Sequence, residues 1–364
     1  MRYFSFSWGN NHIALRGLLS VLGHELIQPQ EVSTSLIKKG VQRCPDFMCF
    51  SGKVVIGEII KQIENGERNF IYISSKGIEA CRCAETGNFL KSFFKKEYPD
   101  LKITRIGGNS TGESYANLKK HFPNINRIKH NYAYFIFFMK LEIIDMVEKE
   151  SLKIRAGVEI IDNVRKLEQK YLKKIDSTNN PLRLFWIGLQ FKHEIKKIHK
   201  ENRVNSGLKV GLIGGEHILS ELDSIMVKIK DIGYKENIKM EWRSGFKNIT
   251  KISRYDNPPK GRDGFDYLKK LCGDYLHPAP SGTEIFTCAH AAEFIQEGFD
   301  GLIHIYAFGC LPQTAVKPIL KNMCKEESMP LLSISIGDKF NETGIENRLE
   351  AFIDLLKIKE IPVR

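Results

Sequence analysis

No stretch of this chain is apolar for long enough to cross a bilayer. The most apolar run, Tyr132 to Met139, is cut off by Lys140 and Glu142, well short of the roughly 20 residues that a spanning helix needs. The opening residues, Met1 to Trp8, alternate like a strand. They show no basic region, apolar core and small-residue cleavage site in succession, so no signal peptide is expected. These absences point to a cytoplasmic protein without a membrane partner. Machinery for hydrolysing phosphates is missing too. There is no Walker A sequence, the turn at Gly211, Gly214 and Gly215 lacks the Gly-x-Gly-x-x-Gly spacing, and His24-Glu25 and His193-Glu194 lack the second histidine of a zinc-protease helix. Eight cysteines are present, but without regular spacing or a secretory context they do not form a disulfide framework, and reduced thiols are expected.

What the chain does have is positive charge, +12 over 364 residues, and it is unevenly spread. Residues 111–205 hold 19 Lys and Arg against 11 Asp and Glu. A basic face can meet acidic protein surface or a phosphorylated ligand. No nucleic-acid motif and no basic stripe interleaved with aromatics is present, so no nucleic-acid partner is indicated.

The length fits two or three domains. From the N-terminus to about residue 110, short apolar runs alternate with helical patterns: strands at Tyr3–Ser7, Glu25–Ile27, Asn69–Ser75 and Leu101–Ile106, and helices at Ile13–Leu22, Val54–Ile63 and Gly87–Phe94. That alternation predicts a parallel sheet. Between 112 and 203 the apolar positions follow helical spacing, as at Val158, Ile161, Val164, Leu167, Tyr171 and Ile175. The alternation returns at Leu208–Gly215, with later strands at Ile238–Trp242, Gly301–Tyr306 and Leu331–Ile336 and helices at Ile218–Ile232 and Gly344–Leu356. The expected architecture is α/β: two Rossmann-like parallel-sheet domains, 1–110 and 206–364, joined by a basic helical segment, 111–205.

Three cysteines stand at strand or helix ends. Cys49 opens a predicted helix, and Cys81 and Cys310 each follow an apolar strand. Cys310 comes after the run from Asp300 to Gly309, with Pro312 where a first helical turn begins. The carboxyl edge of an open sheet is where ligands bind, and a helix N-terminus favours a thiolate. The other thiols read differently. Cys272, Cys288 and Cys324 fall on predicted helices or their ends, as small buried hydrophobes do. Cys44, before Pro45 and five residues before Cys49, is ambiguous and could be a spare ligand, and Cys83 forms a C-x-C with Cys81. Tetrahedral zinc would need four ligands, requiring His290 or His304 to join. His304 lies inside a predicted buried strand, where a hydrogen-bonded core histidine is expected.

Several blocks carry a resemblance: Cys44-Pro45-Asp46-Phe47-Met48-Cys49 with Lys53 and Gly57, Gly77-Ile78-Glu79-Ala80-Cys81-Arg82, Glu297 to His304, Phe308-Gly309-Cys310-Leu311-Pro312, Lys317 to Leu320, and Arg348 to Phe352. In order and spacing these resemble the 2-hydroxyacyl-CoA dehydratase and benzoyl-CoA reductase superfamily, in its CoA-protein-activase-like branch. The resemblance implies a 4Fe–4S iron–sulfur cluster held by three cysteines, which fall on Cys49, Cys81 and Cys310. It also implies an oxidoreductase or dehydratase-like component, fed with low-potential electrons by an ATP-dependent activator that carries its own cluster. Ferredoxin or flavodoxin stands upstream and the acceptor is small, such as a CoA thioester; a homodimer or heterodimer is open, and the sequence does not decide the oligomeric state. Lys53 and Arg82 would offset thiolate charge, and Gly309 would let backbone approach the cofactor.

The chain departs from the family where Cys83-Ala84-Glu85 follows Arg82, at Ser281-Gly282-Thr283-Glu284, and at Gln313 in place of an acid. These leave open a non-catalytic scaffold or electron-relay partner, or a zinc-stabilised binding protein.

Overall fold

The computed structural model describes residues 2–5, 9–28, 32–67, 70–73, 86–100, 103–104, 111–154, 161–201, 207–214, 229, 231–233, 235–243, 265–276, 284–339 and 341–360. Two four-stranded, all-parallel sheets organise them. In the first, β1 (Arg2–Ser5) lies between β2 (Glu25–Leu26) and β3 (Phe70–Ile73), with β4 (Ile103–Thr104) outside β3. The second repeats that order: β5 (Lys209–Gly214) lies between β6 (Lys239–Trp242) and β7 (Gly301–Ala307), with β8 (Leu331–Ile336) at the edge. The α/β class expected from the sequence is what these residues form, rich in helix and with small sheets.

Parallel neighbours need crossovers, and helices supply them. Helix α1 (His12–Leu22) links β1 to β2, while α2 (Thr34–Arg43) and α3 (Phe50–Glu64) link β2 to β3 and α4 (Thr86–Glu97) precedes β4. The middle of the chain is α5 (Thr111–His121), α6 (Arg127–Ile154), α7 (Ile161–Asp176) and α8 (Pro181–Glu201). Around the second sheet lie α9 (Phe265–Cys272), α10 (Glu284–Gln296), α11 (Leu311–Glu326) and α12 (Glu342–Glu360). The sequence pattern gave no helix at α2, and α12 runs longer than its pattern suggested. Of the expected helix Ile218–Ile232, most lies outside the described residues. Among the described residues no helix is long and apolar enough to cross a membrane.

Strand β7 is buried along its whole length, with Ile303, Ile305 and Ala307 in one apolar cluster and Leu302 in another. Such two-sided burial is the mark of a parallel strand covered on both faces. The helices of 111–205 share a cluster with the first sheet: Ile136 and Ile144 of α6, Tyr171 of α7 and Phe191 of α8 join Tyr3, Phe4 and Leu19.

Helix α3 belongs to both halves. Its first turns give Phe50 and Val54 to the cluster of the second sheet, together with Leu36 of α2. Its later turns give Val55, Ile56, Ile59, Ile60 and Ile63 to the cluster of the first. Two glycines let α2 and α3 pack in van der Waals contact. A Cβ at Gly40 would stand 1.8 Å from the Lys53 carbonyl oxygen, and one at Gly57 2.3 Å from that of Leu36.

One surface is unusually apolar. Leu182, Phe185, Trp186 and Leu189 recur at helical spacing on α8 and are exposed, as are Ile128, Tyr132 and Phe135 of the neighbouring α6.

Candidate functional site

Cys49 and Cys310 occupy the same position in two different helices. Cys49 is the N-cap of α3 and Cys310 the N-cap of α11, each in extended backbone immediately before the first turn. Pro312, in the first turn of α11, suits that start because its missing N–H would find no intrahelical partner there. Cys310 also follows β7, next to the point where the chain reverses its direction of strand addition between β5 and β7. Ligands bind at such switch points in open α/β sheets.

The loop that carries Cys310 lies directly on the start of α3. The Phe50 amide donates to the Phe308 carbonyl at 2.9 Å. Gly309 sits between Phe308 and Cys310 at φ +76°, and a Cβ there would be 3.3 Å from Cys49 Cα and 3.8 Å from Cys49 Cβ. Two cysteines far apart in the chain are thereby brought into one neighbourhood. Cys49 is buried at 3% exposure and Cys310 is half-buried.

Both thiols stand at the positive end of a helix, beside N–H groups that have no intrahelical acceptor, a setting that favours anionic sulfur. Lys53 is buried one turn into α3, and its amide donates to the Cys49 carbonyl. Cys44, the C-cap of α2, is close enough to feel both Lys53 and Cys49. Burial pushes its thiol up to about 12, against the opposing pull of the Lys53 charge. Cysteine sulfurs at two helix starts with a buried lysine alongside are a donor set that suits a cluster or a thiophilic metal. Cys81, Arg82 and Cys83 lie outside the described residues. Among the described residues no group of three or more His, Cys, Asp or Glu side chains is arranged to hold a metal ion.

No family model and no curated protein matches the chain.

Around the two thiols the structure adds residues that the sequence reading did not single out. Phe47, Phe308 and Leu311 are exposed at 63%, 63% and 46%, and each lies within two residues of Cys49 or Cys310. Sequence alone does not separate them from Met48 and Phe50, which flank Cys49 and are buried at 3% and 1% exposure.

Gln313, the third of the departures from the resembled pattern, is fully buried in a polar triad. Its Oε1 accepts from His304 Nε2–H at 2.9 Å, and its Nε2 donates to Thr287 Oγ1 at 3.0 Å. The His304 ring stacks on Tyr306 at 4.6 Å, and burial pulls its pKa down to about 4. It is a bonded core histidine, as its place in the strand suggested. Cys272, Cys288 and Cys324 line the apolar cluster beneath α10 and α11. Burial pushes the Cys324 thiol up to about 11, and a hydrogen bond with Cys272 followed by burial raises that of Cys288. Thiols raised in this way, Cys288 and Cys324, are poor nucleophiles and poor ligands.

Proposed function

We propose that this chain is an iron–sulfur reductase component of the 2-hydroxyacyl-CoA dehydratase-like superfamily, with its cluster on Cys49, Cys81 and Cys310. The site would lie between the carboxyl ends of two Rossmann-like sheets, in a cytoplasmic protein. Electrons arrive from an ATP-dependent activator served by ferredoxin or flavodoxin and leave to a small acceptor such as a CoA thioester. The observation that carries this reading is the seating of the Cys310 loop on the Cys49 helix start through Gly309 and Phe308.

When bound, such a cluster supplies a one-electron carrier of low potential. The chain's own residues do the rest. Cys49 and Cys310 hold thiolate charge at helix starts, Lys53 balances part of it, and Arg82 is proposed to add to that balance. Phe47, Phe308 and Leu311 give an acceptor or an activator an apolar surface and limit the approach of water. The exposed stripe on α6 and α8 supports assembly with a second copy or a related subunit.

Gln313 favours a second reading. Its amide is engaged by His304 and Thr287 and is no acid, which suits an electron relay or scaffold better than an enzyme that protonates its own substrate.

Anaerobic reconstitution with iron and sulfide, followed by metal and acid-labile sulfide counting and electron paramagnetic resonance, tests the proposal. Wild type and Cys272→Ser should load alike, whereas Cys49→Ser and Cys310→Ser should lose or convert the cluster. Zinc without iron, or equal loss in all three variants, would overturn it. A loaded protein that forms a stable complex with an activator yet shows no ATP-dependent turnover would select the relay.

A further inference from the structure

Away from the cysteine pair, four cations converge on one groove. It has a volume of about 670 Å³ and lies between α11, from Lys317 onward, and the first half of the edge strand β8. Lys317, Lys321 and Lys325 line it at spacing i, i+4, i+8, which places all three on one face of α11. Arg348 of α12 closes the other side, held by a hydrogen bond of 2.7 Å from Nη2 to the Ser333 carbonyl. Leu331 and Leu332 give it an apolar wall. No carboxylate lines it among the described residues.

Like charges at i, i+4 repel, and none of these four cations has an ion-pair partner among the described residues. Lys317 only lies 5.9 Å above the Tyr306 ring. Lysines beside an edge strand discourage unwanted sheet pairing, and Lys325 in the last turn complements the helix dipole. Neither role calls for a guanidinium fixed across a cavity that falls within the range of about 300–1,000 Å³ used for small ligands. The wall selects against a bare inorganic anion, which gains nothing from leucines. The charges select against cationic and neutral ligands.

We infer that this groove binds an organic diphosphate of nucleotide size, with its phosphates on Lys317, Lys321 and Arg348 and its apolar body on Leu331 and Leu332. The site is independent of the cluster proposal. Along the helix axis Lys317 and Lys325 stand roughly 10 and 22 Å from Cys310, at a rise of about 1.5 Å per residue.

Titration calorimetry of the full chain with ADP, and separately with inorganic pyrophosphate, at low and high salt provides the test. Saturable one-site binding of ADP is expected. It should weaken with salt and by about tenfold or more in Lys317→Gln/Lys321→Gln, with the fold checked by circular dichroism. Arg348→Gln should weaken it as well, and pyrophosphate should bind less tightly than ADP. Cys49→Ser should bind ADP like wild type, so a failure here is distinguishable from a failure of the cluster. Absence of saturable binding at millimolar ADP, undiminished binding in the double variant, or pyrophosphate binding as tightly as ADP would each overturn the inference.

Discussion

Gly309 rests against Cys49, so closely that a methyl group at Gly309 would come within 3.3 Å of the Cys49 Cα. Its φ of +76° adds a second demand for glycine. Gly309→Ala should therefore cost about 1–2 kcal/mol from backbone conformation alone, read as a lower urea midpoint. It should also displace the Cys310 loop from the start of α3, so cluster loading should fall more than stability does. Full loading in this variant would mean that the contact does not position the thiols.

The α2–α3 crossing makes a parallel demand. At Gly40 a Cβ would overlap the Lys53 carbonyl oxygen at 1.8 Å, and that atom is backbone and cannot swing aside. Gly40→Ala should destabilise at or beyond the upper end of the 1–3 kcal/mol typical of overpacking, about 3 kcal/mol. Gly66→Ala is the matched control for an unobstructed glycine, since nothing lies within 4 Å of its Cβ position, though its φ of +88° adds a smaller backbone cost. Chemical unfolding of both variants separates the two effects.

His304 gives the acid limb a predictable shape. Its folded pKa is about 4 against an ordinary value of 6.5, with burial as the main cause, Lys317 acting in the same direction and Gln313 opposing. The unfolded chain therefore takes up this proton first as pH falls. The stability gained by keeping the ring neutral is complete above about pH 6.5 and is lost progressively toward pH 4, a total on the order of 3 kcal/mol. His304→Leu should be less stable at pH 7, because Gln313 Oε1 loses the His304 donor and keeps Thr287, yet show a shallower decline between pH 6.5 and 4. Urea unfolding across that range reads both.

Two aromatic residues five positions apart on α8 should behave oppositely. Phe191 is fully buried, with its ring edge-on to Tyr171 at 5.2 Å, whereas Trp186 is 62% exposed. Phe191→Ala should cost about 3–5 kcal/mol, and Trp186→Ser should leave stability within about 0.5 kcal/mol. Thermal unfolding of the two variants is sufficient to check this.

Much of the framework was legible because period-2 and period-3.6 patterns are strong in long segments. Strands β5, β7 and β8 and the helical middle were read from such runs, as was the place of Cys310 after a buried strand. Helix α2 escaped because only Leu36, Ile37 and Gly40 of its ten residues are buried, too few to fix a period. The strand order was also hidden, since β2 and β4 are only two residues long and their neighbours are set by helix packing. At the site, the helix starts at Cys49 and Cys310 could be read from the chain. Their closeness could not, because it depends on a glycine contact and on the hydrogen bond from Phe50 to Phe308. The sequence likewise gave no hint that α3 serves two cores.

That shared helix ties the fate of the two halves together. The first turns of α3 are clamped by one cluster and the remainder by the other, with Cys49 at its tip. To swing one sheet away from its companion would mean tearing a single rod out of apolar surroundings at one end. Such a molecule should melt as one cooperative body, and a strain applied at either sheet would be felt at the cysteine tip.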